Sequence, residues 1–454
     1  MNRKLIALAV AGAFAPALAM ADDSTVTIYG KISLGFESAK AEGCTTNAAG
    51  VCSGPTNLAT GSSVGQNIPN RTRVTDNASY IGFRANEPLG GGLNAFFQID
   101  SYIKPDGPSG RSTAFNASTF ATRDSLVGLR GPFGEVALGK YRTYFADHIP
   151  AGDTLFLKSS LAASVSALFG ATSTIGGQTA ALAGLTPAGG FAPANAEGRG
   201  AFDPGGFRDN VLRYTTPNWG GFTAGLSYVA PEGTVNIPTN TAASNAGKAS
   251  DKGIAVRLTY LNPNLGFANY SYYKRDDYLV GSAGGSIGND SKNQKIAIGT
   301  KLAGFTVGVA AEKIEHTNPD LIATAANDSV DREVKKYALF VAYEIGPWAF
   351  GTSYAKAKAV EDKTGRNCTD PAPLPNTPSG LTSCAGTGAK FYQATVLYNF
   401  SKRTNLYATF AKVKNDSAAA YDFYTTSAVG DTGPSFIARG SSPQVLSAGI
   451  NHFF

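Results

Sequence analysis

The chain has 454 residues, of which 43% are hydrophobic, 11% aromatic and 16% charged, with a net charge of +6. The positive residues are dispersed and form no basic tract, which argues against a nucleic-acid partner. After position 21 no stretch approaches the roughly 20 consecutive apolar residues of a membrane helix. That exclusion does not reach a β-barrel, whose strands face lipid only at every second residue.

At the start, Arg3 and Lys4 precede an apolar run over 5–14, and Ala19-Met20-Ala21 makes an A-x-A cleavage site. This predicts a cleaved signal peptide over 1–21 and a mature chain from Asp22, with 22–454 as one undivided unit. The first mature segment, Val26-Thr27-Ile28-Tyr29-Gly30-Lys31-Ile32-Ser33-Leu34-Gly35-Phe36, alternates apolar and polar or small residues with period two, as a half-buried strand does. Fifteen similar segments follow. The alternation predicts strands near 25–38, 77–88, 92–103, 121–131, 134–141, 207–217, 221–230 and 251–262 in the first half. In the second half they lie near 265–275, 293–302, 304–315, 333–345, 348–358, 389–400, 403–414 and 443–454.

The gaps between segments alternate in length. Leu89-Gly90-Gly91, Asn218-Trp219-Gly220, Asn262-Pro263-Asn264, Gly346-Pro347 and Ser401-Lys402 are tight turns. The other connections are long, the longest over 142–206, where 154–170 is a candidate short helix. Short turns at one end and long loops at the other describe an all-β, transmembrane, antiparallel up-and-down barrel of 16 strands. An even count puts both termini on the tight-turn side. Parity sets Ile28, Ile32, Leu34 and Phe36 toward lipid, with Ile81, Phe83, Tyr337, Leu339, Val341, Tyr343, Tyr392, Val396, Tyr398 and Phe400. Lys31 and Arg84 then face the lumen. Aromatics near strand ends, such as Trp219, Phe222, Trp348 and Phe350, suit interfacial girdles. A β-sandwich would show the same alternation with the faces inverted; the leader, the strand count and the closing Phe454 decide for the barrel.

Four cysteines fit an oxidising compartment and allow three pairings. Cys44–Cys52 and Cys368–Cys384, each inside one loop, form the economical set. Each bridge would contribute roughly 2–3 kcal/mol. The spacings are not those of a zinc site. The three histidines, His148, His316 and His452, lie in no hydrolase setting such as G-x-S-x-G, so the chain reads as no enzyme, and no cofactor or metal is implied. Asp276 and Asp277 read as solvated loop charge, and Gly90-Gly91-Gly92 as turn chemistry rather than a phosphate cradle.

The chain resembles the general porins of Gram-negative bacteria, of the type found in Neisseria and Burkholderia relatives. The resemblance runs through Val26-Thr27-Ile28-Tyr29-Gly30, Tyr80-Ile81-Gly82-Phe83-Arg84 and Leu89-Gly90-Gly91-Gly92-Leu93. It continues in Val127-Gly128-Leu129-Arg130-Gly131, Phe133-Gly134-Glu135-Val136-Ala137-Leu138-Gly139 and Arg213-Tyr214-Thr215-Thr216-Pro217-Asn218. Phe400-Ser401-Lys402-Arg403-Thr404 and Phe454 complete it, and Phe454 closes a strand like the signal read by the outer-membrane assembly machinery. One departure is Glu87-Pro88 where the family shows Glu-Asp.

The resemblance implies a homotrimer in the outer membrane, in contact with its lipids and lipopolysaccharide. Each barrel would hold a water-filled pore for small ions and hydrophilic solutes, narrowed by the third long loop, 142–206, folded partly inward. It also implies an inward basic wall facing acids on that loop. The matched basic positions are Lys31, Arg84, Arg123, Lys140 and Arg213, with Tyr80 where some porins carry another Arg. The loop acids are Asp147 and Asp153, and Arg208, Arg257, Lys295 and Lys301 stand further from the eyelet. That balance implies anion preference. A solute-specific channel and a barrel that only displays adhesive or receptor loops remain open alternatives.

Overall fold

The computed structural model describes residues 26–46, 53–57, 62–64, 68–103, 105–106, 120–145, 159–160, 163–165, 168–169, 207–231, 235–236, 248–249, 252–280, 286–318, 330–363, 385–419, 421–423 and 439–454. Sixteen wall strands lie among them. They are β1 Thr27–Glu42, β2 Tyr80–Gly90, β3 Leu93–Tyr102, β4 Ser125–Gly131, β5 Gly134–Arg142 and β6 Phe207–Thr215. Then come β7 Phe222–Val229, β8 Lys252–Asn262, β9 Gly266–Val280, β10 Ser286–Leu302 and β11 Phe305–Asn318. The wall ends with β12 Val330–Ile345, β13 Trp348–Ala357, β14 Ala389–Asn399, β15 Thr404–Asn415 and β16 Ser442–Phe453. Neighbours in sequence pair antiparallel, and β16 pairs with β1 from Ser442↔Glu42 to Phe453↔Lys31, which closes the barrel. Closure joins the first wall strand to the last, the condition for a sheet to stand in lipid.

The seam depends on the last residue. Gly30 N–H donates to the Phe454 carbonyl at 3.1 Å and Phe454 N–H to the Gly30 carbonyl at 3.2 Å. A Cβ on Gly30 would stand 2.6 Å from the Phe454 ring. The β2–β3 turn uses Gly90, Gly91 and Gly92, all in the left-handed region that other residues rarely adopt.

All sixteen expected strands are present, and the outer parity holds: Ile28, Phe36, Tyr337, Leu339, Tyr392 and Phe400 are exposed on the outside. Aromatic pairs gather where expected at the tight-turn end, Phe222 with Tyr260, Phe305 with Tyr343 and Trp348 with Tyr398. Several strands run past their expected ends, and one strand is additional. β10 starts at Ser286 rather than near 293, and an additional strand, Ile68–Asp76, falls in the expected loop 39–76. The additional strand Ile68–Asp76 pairs with the upper half of β1, while β2 pairs with its lower half. The break between them has Ala78 in a left-handed conformation and the Asp76 carboxylate accepting from Ser79 N–H at 3.1 Å.

Where a short helix is expected over 154–170, Ala163 and Val165 are in 3-10 conformation among the described residues: Ala163 N–H donates to Ser160 C=O, and Leu168 and Phe169 N–H to Val165 C=O, each at 2.9 Å. Ala163, Val165, Leu168 and Phe169 are all buried in one cluster with the inward Phe267, Phe340 and Phe391. A one-turn helix is not stable on its own, and here tertiary burial sets the conformation. The leader 1–21, the helix's remaining residues, Asp147, His148 and Asp153 lie outside the described residues. Cys44 is disulfide-bonded. Cys52, Cys368 and Cys384, and with them both expected pairings, also lie outside the described residues.

Candidate pore constriction

The inward parity of β1, β2 and β3 brings one polar cluster together. Tyr29, Lys31 and Ser33 alternate on β1, Tyr80, Gly82 and Arg84 on β2, and Gln98, Asp100 and Tyr102 on β3. The register sets Gly82 opposite both Tyr29 and Asp100. With no side chain on Gly82, the Tyr29 hydroxyl reaches the Asp100 carboxylate directly, and a Cβ there would stand 2.5 Å from that carboxylate. Gln98 Nε2 donates to the other Asp100 oxygen at 3.0 Å. Arg84 lies 4.9 Å above the Tyr29 ring and is not ion-paired among the described residues. Arg123, just before β4, sits 4.3 Å from the Tyr80 ring and 4.6 Å from Tyr102. Aromatic faces hold a guanidinium by their quadrupole without neutralising it. Lys31 Nζ donates to the Asn77 carbonyl at 2.7 Å.

A second cluster stands on β4 to β8. Arg130 Nη2 and Glu135 Oε2 are 2.7 Å apart, and Arg213 Nη2 reaches the other Glu135 oxygen at 3.5 Å. Arg213 Nε donates to the Tyr144 hydroxyl at 2.7 Å, and its guanidinium stacks 4.0 Å from the Tyr141 ring. Arg257 lies 4.6 Å from the same Tyr144 ring. Tyr144 can lie flat against β7 because position 225 is glycine; a Cβ there would stand 2.6 Å from the ring. Further round, Lys295 Nζ donates to the Phe145 carbonyl at 2.7 Å.

The two clusters share a cavity of about 450 Å³ lined by Arg84, Gln98, Arg130, Glu135, Tyr141 and Arg213. Among the described lining residues, guanidinium groups therefore outnumber carboxylates. The structure brings Lys31, Arg84, Arg123 and Arg213 to the inner wall. Lys140 is a correction. It stands opposite Ser125 at the parity of the outward Val136 and Leu138, and its ammonium lies 3.4 Å from Asp209. The strand alternation thus puts it on the outer face. Asp147 and Asp153 fall outside the described residues, and of Arg208 only the backbone is described. Arg130, Asp100 and Glu135 were missed. Outward Leu129, Ile99 and Val136 beside them were the available signal.

A family model described as Gram-negative porin matches residues 7–418. Outer membrane porin protein 32 of Delftia acidovorans is 27% identical over 100% of both chains. Major outer membrane protein P.IA of Neisseria meningitidis is 31% identical over 34% of this chain and 36% of that protein. Among solved structures, the anion-selective porin from Comamonas acidovorans superposes with a TM-score of 0.60 at 20% identity, over 95% of this chain and all of that one. OmpT of Vibrio cholerae gives a TM-score of 0.54 at 12% identity, over 96% and 100%. At such identities these two structures bear on the fold alone.

Proposed function

The chain belongs to the Gram-negative porin family, and we propose that its outer-membrane diffusion channel favours small hydrophilic anions over cations. One observation carries the proposal: Arg84, Arg130 and Arg213 border a single lumenal cavity in which Glu135 is the one carboxylate among the described lining residues. Lys31 and Arg123 extend the positive wall toward β1. A charge in a narrow lumen acts through a lower effective dielectric than in bulk water, so an uncompensated guanidinium lowers the barrier for an anion and raises it for a cation. The Comamonas structure with this fold is that of an anion-selective porin, which accords with the proposed sign without establishing it for this chain.

Passage is by diffusion, without catalysis or a cofactor, and family membership supports the non-enzymatic reading. The same membership supports a homotrimer, a leader over 1–21 ahead of a barrel unit over 22–454, and delivery by the outer-membrane assembly machinery through Phe454. The buried residues of 163–169 support a third loop that narrows the lumen, with Asp147 and Asp153 as its acids.

The test is single-channel recording in a planar bilayer under a potassium chloride gradient. A reversal potential on the chloride side is expected, and replacement of Arg84, Arg130 and Arg213 together by Gln should move it toward potassium. A potassium-side potential in the unaltered protein, or no movement in the triple variant, overturns the proposed sign.

A further inference from the structure

A single line of inward residues crosses five strands of the wall. Thr215 on β6 stands opposite Gly225 on β7, Gly225 opposite Arg257 on β8, Arg257 opposite Ser271 on β9, and Ser271 opposite Lys295 on β10. Neighbouring strands lie about 4.8 Å apart, so the line runs about 19 Å round the lumen. Its small members, Gly225 and Ser271, leave two gaps between longer side chains.

The root of the third long loop lies along this line. Thr143, Tyr144 and Phe145 follow directly on β5, and all three are fully buried. Tyr144 takes the first gap. Its ring lies over Gly225, its hydroxyl meets the Thr215 hydroxyl and accepts from Arg213 Nε at 2.7 Å, and the Arg257 guanidinium lies 4.6 Å from the ring. Phe145 is held from the far end. Lys295 Nζ donates to its carbonyl at 2.7 Å and stands 4.9 Å from its ring, which packs 6.4 Å from Tyr273. Ala255 and Tyr273, a facing pair one row nearer the long connections, join Tyr144 and Phe145 in one buried cluster.

β5 is flanked by β4 and β6, so a chain leaving it need touch nothing beyond them. Phe145 instead reaches β9 and β10. Holding the backbone there opposes its conformational entropy. A main-chain carbonyl is an acceptor whatever residue bears it, so the Lys295 bond fixes the path of the loop rather than the fit of one side chain. A hydrogen bond from a buried ammonium is stronger than a neutral one and costly to leave unmade. Lys295 reads from the sequence as a lumenal charge, but it is buried and its ammonium is bonded to the loop.

We infer that this line is the seat of the third loop and that Lys295 is its positioning residue, which sets how steadily the passage stays open. Which ion the passage prefers is left to Arg84, Arg130 and Arg213. The inference rests on the proposed channel. Arg213 belongs to both arrangements, since it borders the lumenal cavity and also bonds Tyr144, so the test avoids it.

The experiment compares Lys295→Met, Gly225→Ala and the double variant in the full-length protein, by single-channel recording and by limited trypsin digestion. Met keeps the length of the side chain and removes the donor. The alanine, on another strand and without charge, would bring a Cβ to 2.6 Å from the Tyr144 ring and displace it. Each single variant should raise the rate of brief closures about tenfold, the scale of one charge-assisted hydrogen bond, and speed tryptic cleavage within 142–206 by a similar factor. The reversal potential in a potassium chloride gradient should not move. The double variant should close no more often than the worse single variant, because one root is released only once. Circular dichroism checks that each barrel forms; where Gly225→Ala does not, Phe145→Ala releases the same root from the loop side. Unchanged closure and cleavage rates in Lys295→Met overturn the seat, as do additive effects in the double variant. A potential moved toward potassium in Lys295→Met makes it a selectivity charge and overturns its positioning role. The two readings fail separately: a potassium-side potential in the unaltered protein overturns only the proposed anion preference, and absent conductance overturns only the channel, because the trypsin rates then decide the seat.

Discussion

The two halves of the inner wall are made of different chemistry. From β1 to β8 the inward positions carry Arg84, Arg130, Arg213 and Arg257, laid on Tyr29, Phe96, Tyr141 and Tyr144 respectively. From β11 to β15 they carry Ala310, Ala338, Ala355, Ala389 and Ala411, with Phe340 and Phe391 between them, all buried. The difference follows from what each half faces. Small alanines leave room on one side for Ala163, Val165, Leu168 and Phe169 to pack against the wall, and a close-packed contact of that kind leaves little room for water and tolerates charge only where it is paired. The other side keeps its guanidinium groups in space that a solute can occupy. Under the proposed function the passage would run beside the basic half, which would then set its charge.

A buried ion pair within the packed half gives the largest expected effect. Lys336 Nζ and Glu312 Oε1 are 3.2 Å apart, and both side chains are 0% exposed. Glu312→Ala leaves a buried ammonium without its carboxylate, which costs roughly 3–5 kcal/mol. Thermal unfolding of the detergent-solubilised barrel followed by circular dichroism should show a clearly lowered midpoint. An unchanged midpoint would mean that water reaches the pair and that the second half is not dry.

A somewhat smaller loss is expected from Leu168→Ala, which removes a fully buried side chain from the contact between loop and wall and costs roughly 2–5 kcal/mol. Its functional reading sharpens the comparison. Loosening the apolar plug should raise single-channel conductance while the reversal potential stays put, because no charged group has moved. A potential displaced toward potassium would show that the loop, and not the basic half, holds the selectivity.

Much of this division could be read from the chain, within definite bounds. Strands were legible where lipid imposes alternation, as in Ile28, Ile32, Leu34 and Phe36. They stopped being legible where the wall rises beyond the bilayer. Ser286 to Asn293 carries a single large apolar residue, and the strand Ile68–Asp76 reads Asn-Arg-Thr-Arg-Val-Thr within it, polar on both faces. Nothing there marks period two. The packed half was illegible for another reason: alternate alanines are compatible with a lumen or with a dry contact, and only the loop's position decides. At the site, parity identified Lys31 and Arg84 directly, and the same rule applied to Val127-Gly128-Leu129-Arg130 would have added Arg130.

The smallest expected effect tests parity against resemblance at one residue. Family likeness puts Lys140 in the basic wall, whereas alternation from Val136 and Leu138 puts it outside, against Asp209. Lys140→Gln should therefore leave the reversal potential where it was. The stability change should be at most about 1 kcal/mol, since the ammonium is partly exposed and such pairs are screened. Arg213→Gln, one strand away on the inner face, is the matched comparison and should shift the potential measurably. If the two variants shift it alike, the irregularity between Gly139 and Tyr141 turns the Lys140 side chain inward, and the boundary of the basic half must be redrawn through β5.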